Sequence, residues 1–126
     1  MTRSIIGLMQ ALVGNPEGVA NLFAPDVQLF GSLTHKPFEG REAVLVIFGM
    51  LAAVCQDVRY VKEYTADDGV TLLVHGRIGD RQFDGIQVLT FNSDGLVTSF
   101  RDFVRPMSAL QALQTAAGEY LARPTG

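Results

Sequence analysis

The second half of the chain, residues 58–104, reads VRYVKEYTADDGVTLLVHGRIGDRQFDGIQVLTFNSDGLVTSFRDFV. Its β-type residues fall into four runs: Val58–Thr65, Val70–Ile78, Gln82–Phe91 and Leu96–Val104. Between the runs, residues 67–69, 79–80 and 92–95 consist of Asp, Asn, Ser and Gly, which favour tight turns. Four strands joined by such short turns predict an antiparallel meander.

The segments around the meander carry helical spacing. Before the meander, the sequence predicts an amphipathic helix with apolar residues at Ile5, Leu8, Met9 and Leu12, and a second short helix from the cap Asn15 to Phe23. A strand at Val27–Leu33 and a long apolar helix from Gly40 to about Gln56 follow. After the meander, a final helix is predicted from Ser108, with an apolar stripe at Leu110, Leu113, Ala117, Tyr120 and Leu121. The predicted fold class is α+β, a curved, mostly antiparallel sheet wrapped around helices. A cavity is expected where the sheet and the helices diverge.

The composition limits the classes of function. The chain has 126 residues, 48% hydrophobic and 18% charged, which predicts one folded domain over residues 1–126 and excludes a disordered chain. The net charge is −3 and the ten Lys and Arg are scattered, so no basic face for nucleic acid is expected. No run approaches the length of a membrane span, and we expect a cytoplasmic protein that binds no membrane.

No residue pattern indicates a metal site. Cys55 is the single cysteine and lies in an apolar helical run, so it is interpreted as a small core residue. His35 lies in a predicted loop, and no ligand set with zinc or iron spacing is present.

The chain contains Asn15–Gly18 before Leu22–Val27, Phe38–Val44 at the start of the long helix, Ser93–Val97, and Phe100–Phe103. Together these segments resemble the nuclear transport factor 2-like superfamily over almost the whole chain. The resemblance implies a cone-shaped fold around an apolar pocket. It is specific for fold and says little about function, because unrelated activities share this architecture.

Ketosteroid isomerases are one enzyme type of this superfamily, and their pattern implies three proton-handling groups. The base position falls on Gly31, the tyrosine position on Gly7, and the acid position on or near Gln87. All three groups are absent here, which argues against that chemistry.

Limonene-epoxide hydrolase-type enzymes resemble the chain more closely at its last strand. Arg101-Asp102-Phe103 matches their Arg-Asp-Tyr stretch, which implies Asp102 as catalytic acid. Their second Asp and bridging Arg fall on Arg77 and His75, and their water-holding residues fall on Leu29 and Gly31. SnoaL-like polyketide cyclases similarly use one acidic residue in an apolar pocket, a requirement that Asp102 with a nearby His75 or Arg77 meets.

Alternation along the last predicted strand places Asp102 on the same face as Phe100 and Val104. If that face lines the cavity, burial raises the pKa of the carboxyl, and His75 and Arg77 orient it. The alternative is a structural ion pair between Asp102 and Arg77.

Asp84 and Gln87 compete for the cavity, because their opposite parity lets only one of them face inward. The isomerase comparison favours Gln87 and the hydrolase comparison favours Asp84; the alternative stays open. Tyr60 and Tyr64 share one strand parity, and core packing is the default for both.

Two functions remain after this reasoning. The first is a cofactor-independent enzyme of the hydrolase or cyclase type, which acts on a compact apolar oxygenated substrate with Asp102 as acid or base. Its predicted catalytic residues are Asp102, His75 and Arg77, and its predicted ligand-binding residues are Leu29, Gly31, Gln87, Phe100 and Val104. The second is a non-catalytic module that binds a small apolar ligand or a protein partner. We also expect a homodimer through the open sheet face, with Arg101 near the interface.

Overall fold

The structure is a computed structural model that describes residues 20–122. In chain order the elements are β1 (Phe23–Phe30), β2 (Phe38–Glu39), α1 (Arg41–Val54), β3 (Gln56–Ala66), β4 (Gly69–Ile78), β5 (Arg81–Phe91), β6 (Val97–Arg105) and α2 (Met107–Leu121). The helix predicted around Ile5–Leu12 lies outside the described residues, as does most of the one predicted from Asn15. Within residues 20–122, no helix is both long enough and apolar enough to cross a membrane.

The strands form one six-stranded sheet in the order β2-β1-β6-β5-β4-β3. Strands β3 to β6 are the predicted antiparallel meander, and β1 joins its β6 edge in parallel orientation. The predicted fold class, an α+β architecture with a curved and mostly antiparallel sheet, is confirmed. Asp102 therefore lies on an interior strand, between β5 and β1.

The sheet has an inner face against the helices and an outer face with no described element over it. On β4 the inner residues alternate along the strand and are buried: Val70, Leu72, Val74 and Ile78. Alternation places Phe100, Asp102 and Val104 of β6 on this same inner face. Helix α2 packs against β4, β5 and β6, while α1 packs against β1 and α2.

Both helices leave some of their apolar residues exposed. Helix α1 buries Val44, Ile47, Phe48 and Met50 but leaves Val46 57% exposed, so it is not buried on every side. Helix α2 buries a stripe of small side chains with one leucine, Ala109, Leu113 and Ala117. Leu121, predicted to belong to this stripe, is exposed. The small alanines allow α2 to approach the sheet closely.

Strand β1 differs from its prediction. It was expected over Val27–Leu33 after a break at Pro25, whereas it begins at Phe23 and ends at Phe30. Phe23 pairs with Val97 of β6, and the register shifts between Phe23 and Gln28. This irregularity accommodates Pro25, which has no N–H for the ladder. The segment expected as a loop up to Phe38 contains the short β2 at its end.

Candidate functional site

A cavity lies between α1, α2 and the inner face of β3 to β6. Its volume is about 50 Å³, which accommodates roughly three to five water molecules. The apolar part of its wall comprises Phe48, Leu51, Ala52, Val58, Val74, Ile78, Phe83, Val104 and Leu113. Polar atoms come from four further residues: Cys55, Tyr60, Gln87 and Asp102. The site is a small apolar chamber with a few polar groups in its wall, the usual composition of a ligand pocket.

Asp102 extends from the inner face of β6 into this cavity. The residue is half-buried as a whole, but its Oδ1 is sealed from solvent and has no hydrogen-bond partner in the described part of the chain. Among residues 20–122 no Lys, Arg or His forms an ion pair with it. Burial among apolar groups disfavours the charged form and raises the pKa of the carboxyl from 3.8 to about 7. The carboxyl therefore exchanges its proton near neutral pH.

Gln87 lies directly opposite Asp102, across the β5–β6 ladder. The residue is 8% exposed, and its Oε1 is buried without a hydrogen-bond partner among the residues that the structure describes. Of the two residues that the sequence left as alternatives, Gln87 therefore faces the cavity and Asp84 does not. Asp84 has the other parity and pairs on the outer face with Arg105, at 3.1 Å between Oδ1 and Nη1.

Tyr60 and Cys55 complete the polar wall. Burial raises the pKa of the Tyr60 phenol, while a side-chain hydrogen bond from Gln87 acts in the opposite direction. Burial, and secondarily the nearby Asp102, raises the pKa of the Cys55 thiol to about 12. The thiol therefore stays protonated at neutral pH and is a poor nucleophile.

His75 and Arg77 do not lie in the cavity, contrary to the prediction that they orient Asp102. Both have the outward parity on β4, opposite to the buried Val74 and Ile78. Arg77 instead binds residues at the start of β3, with Nε 2.6 Å from Asp57 Oδ2 and Nη1 2.6 Å from Gln56 Oε1. The predicted contact of either residue with Asp102 is wrong, and so is the alternative ion pair between Arg77 and Asp102.

The predicted ligand-binding residues divide into two groups. Gln87 and Val104 line the cavity. Leu29 and Phe100 belong to the closed core, where Phe100 packs edge-on against Phe48 with ring centroids 4.9 Å apart. Gly31 follows the end of β1 and is absent from the cavity wall. Leu29 and Gly31 were placed in the pocket by resemblance and Phe100 by strand alternation, and none of the three belongs to the cavity wall.

Several wall residues were missed by the sequence reasoning. Phe83 shares its parity with Gln87 and lies over Gly76, where an added Cβ would be 2.6 Å from the ring. Gly76 therefore leaves space for the Phe83 ring in the cavity wall. A glycine at an inward position of β4, between Val74 and Ile78, is the sequence signal that could have indicated this. Tyr60 and Tyr64 do not share a face as predicted, because the β3 register shifts between Tyr60 and Lys62. Tyr64 is consequently exposed while Tyr60 reaches the cavity.

No cluster of three or more His, Cys, Asp or Glu that could hold a metal ion occurs within the described part of the chain. The polar atoms of the cavity are one carboxyl, one amide, one phenol and one thiol. This set suits hydrogen bonding and proton exchange.

Comparison with known proteins places this geometry in a family. The model of the SnoaL-like domain matches residues 9–100. A steroid Δ-isomerase from Nocardioides simplex is 32% identical over 97 residues, covering 74% of this chain and 79% of the relative. The crystal structure of a steroid Δ-isomerase from Pseudomonas aeruginosa superimposes with a TM-score of 0.86 and 31% identity, covering 92% of this chain and 88% of the other.

Two further structures extend the likeness. An uncharacterised protein from Silicibacter pomeroyi with a cystatin-like fold superimposes with a TM-score of 0.85 at 25% identity, covering 90% of this chain and 82% of the other. A computationally designed 17-OHP binder shares the fold alone, with a TM-score of 0.62 at 19% identity over 83% of this chain and 94% of the other. The chain belongs to the SnoaL-like domain family of the nuclear transport factor 2-like superfamily, a fold of the small-molecule-binding kind.

Proposed function

We propose that the protein is a cofactor-independent enzyme of the isomerase or cyclase type, in which Asp102 transfers a proton to or from a compact, mainly apolar, oxygenated substrate. The observation that carries this proposal is the Asp102 carboxyl in an apolar cavity, with Oδ1 sealed from solvent and no cation beside it among the described residues. A carboxyl held in this way is neutral in weak acid and charged in weak base. Such a group is best matched to acid–base catalysis near neutral pH.

The size of the cavity supports a compact substrate. A cavity of about 50 Å³ is smaller than the roughly 150 Å³ cavity that binds benzene, so it limits the buried part of a substrate to at most about one six-membered ring. The similar Δ-isomerases are named for steroids, which contain four fused rings. We therefore infer a related proton-transfer reaction on a smaller molecule.

Asp102 alone supplies the acid–base function in this proposal. Once deprotonated, it removes a proton from a carbon next to a carbonyl and returns it to a second carbon, so that no metal or redox group takes part. The neutral Tyr60 phenol orients the substrate carbonyl oxygen, because the Gln87 oxygen that faces the cavity accepts hydrogen bonds and donates none. His75 and Arg77, which face outward, have no role in the reaction.

Turnover of a substrate panel tests the proposal. The panel comprises monocyclic β,γ-unsaturated ketones, monocyclic ketones and cyclohexene oxide, each with and without a ring hydroxyl. We expect Asp102→Asn to lower the turnover of an accepted substrate by at least about 100-fold, the contribution typical of acid–base catalysis. Asp84→Asn is the matched control, because it makes the same change on the outer face, and it should retain turnover within about twofold.

The specific rival is a non-catalytic ligand-binding module. The outward position of the predicted partners His75 and Arg77 favours it, since neither side chain reaches Asp102 to exchange a proton with it. Equal turnover by the wild type and Asp102→Asn would remove Asp102 as catalyst. Ligand binding without turnover across the panel would establish the rival.

We also infer a homodimer through the outer sheet face. Phe103 is 54% exposed and Ile86 39% exposed on neighbouring strands of that face, and with Leu73 they line a shallow cleft. Arg101 stacks on Phe30 with its guanidinium carbon 3.9 Å from the ring centroid, beside this apolar area. The cytoplasmic location and the single domain over residues 1–126 stay predictions.

A further inference from the structure

Two buried oxygens face the cavity without a hydrogen-bond donor among residues 20–122. They are Gln87 Oε1 and Asp102 Oδ1, on residues that are directly paired across β5 and β6. The Cβ atoms of such a pair lie about 5 Å apart, so one small polar group is able to reach both side chains. A buried acceptor without a donor destabilises its surroundings, and a ligand that supplies the donor is favoured.

The orientation of Gln87 is set by Tyr60. A side-chain hydrogen bond links the two residues and lowers the pKa of the phenol, as expected when the Gln87 amide N–H donates to the phenolic oxygen. The amide nitrogen is therefore directed to Tyr60, and the amide oxygen is presented to the cavity. An amide oxygen accepts hydrogen bonds and donates none.

Asp102 complements this acceptor. In its neutral form the carboxyl has one O–H donor and one carbonyl acceptor. A ligand hydroxyl donates to Gln87 Oε1 and accepts from the Asp102 O–H with one oxygen atom. A ketone, ether or epoxide oxygen only accepts, so that Gln87 Oε1 stays without a donor when such a ligand enters.

We propose that the cavity selects a monocyclic, mainly apolar compound that carries a hydroxyl group, and that Gln87 is the residue that determines this specificity. The inference rests on the proposed function in using the same cavity, but it concerns binding and does not require turnover. Phe48, Phe83 and Leu113 supply apolar contacts for the ring. The paired oxygens of β5 and β6 recognise the hydroxyl.

Binding of cyclohexanol, cyclohexanone and methylenecyclohexane tests the inference. The three probes share one ring size, and they carry respectively a donor–acceptor, an acceptor and an apolar group. We expect wild-type protein at pH 5.5 to bind cyclohexanol about tenfold more tightly than cyclohexanone, equivalent to about 1.4 kcal/mol. Dissociation constants come from NMR titration. Equal or tighter binding of the ketone by the wild type would overturn the inference without any variant.

Gln87→Met then assigns the selectivity to one residue, because methionine keeps the length of the side chain and lacks both the acceptor oxygen and the amide N–H that bonds Tyr60. The ratio of the two dissociation constants should fall to about one, with most of the change in the alcohol. Asp84→Asn on the outer face should keep the wild-type ratio. A tenfold ratio that persists in folded Gln87→Met would contradict the role of Gln87.

The two proposals fail separately. If the alcohol preference is present and no panel substrate is turned over, the inference stands and the proposed enzyme does not. If Asp102→Asn abolishes turnover and the wild type does not prefer the alcohol, the enzyme stands and the specificity inference is wrong.

Discussion

Asp102 and Asp84 both belong to the β5–β6 ladder, but they lie on opposite faces of the sheet and therefore differ in their chemistry. Asp84 lies on the outer face beside Arg105, in contact with water. Asp102 has apolar walls and no described cation, so desolvation alone raises its pKa. Because a buried charge without a partner is unfavourable, the folded protein retains the proton. The chemistry of the site is therefore a consequence of which way one side chain points.

The pH dependence of stability follows from this retained proton. The folded state holds it up to about pH 7, whereas the unfolded state loses it above pH 3.8. Asp102 therefore destabilises the folded protein increasingly as pH rises from about 4 to about 7. Asn has nearly the same shape and no charge, so Asp102→Asn should stabilise the protein, with a gain that grows by roughly 2 to 3 kcal/mol between pH 4.5 and pH 8.

Urea unfolding of both proteins at the two pH values measures this gain. Asp84→Asn serves as control, since it removes only an exposed contact with Arg105 and should change stability by a similar small amount at each pH. A difference between wild type and Asp102→Asn that is the same at pH 4.5 and pH 8 would contradict the retained proton.

Strand β4 illustrates what the sequence of an element predicts. Its alternating apolar residues, from Val70 to Val74, already indicate that the even positions face inward. Resemblance to the hydrolases directed attention to the odd positions His75 and Arg77, and the local alternation was the better guide. Strand β6 followed the same rule correctly, with Phe100, Asp102 and Val104 on one face.

Irregular elements were beyond such reasoning. The register shift between Tyr60 and Lys62 separates two tyrosines that simple alternation places together. The shift in β1 takes Pro25, which was expected to break the chain before a strand from Val27, into that strand. The β1 shift depends on pairing with β6, which is distant in the sequence, and no local pattern reports either shift.

Arg77 has a structural role at the junction of α1 and β3. Its guanidinium bonds Asp57, Gln56 and the carbonyl oxygen of Gly79, which joins the start of β3 to the end of β4. Asp57 has a φ of 54° there, the left-handed region. Arg77→Met should lower the free energy of unfolding by about 1 kcal/mol, a modest effect because the pair is exposed.

The same variant should leave turnover within about twofold, since Arg77 faces away from the cavity. Denaturant unfolding and initial rates measure the two effects. Arg59→Met on β3 is the matched control, because among the described residues Arg59 forms no ion pair and it has the same charge. A tenfold loss of turnover in Arg77→Met but not in Arg59→Met would show that Arg77 contributes to catalysis and would contradict this prediction.

At the scale of the whole molecule, the sheet has two faces with different tasks. The inner face and the helices enclose the cavity, and the outer face presents Ile86 and Phe103 to solvent. The fold was predictable from four strands, their turns and the flanking helical patterns. The volume of the cavity was not, because it depends on how the side chains of Phe48, Phe83 and Leu113, which come from three different elements, pack in space.

The outer face is where the proposed homodimer is tested. Phe103→Asp introduces a charge into the apolar area and should convert a dimer into a monomer in sedimentation-velocity measurements. Val46→Asp is the control, since Val46 is similarly exposed but lies on α1. A monomeric wild type, or dissociation by both variants alike, would contradict the outer face as the interface.

The central claim is that the cavity keeps the Asp102 carboxyl protonated to near neutral pH. Carbon-13 NMR of the aspartate carboxyl groups, recorded from pH 3 to pH 9 and assigned with Asp102→Asn, measures this directly. The resonance lost in the variant should titrate in the wild type with a midpoint near pH 7. A midpoint near pH 4, the ordinary value for an aspartate in water, would contradict the account.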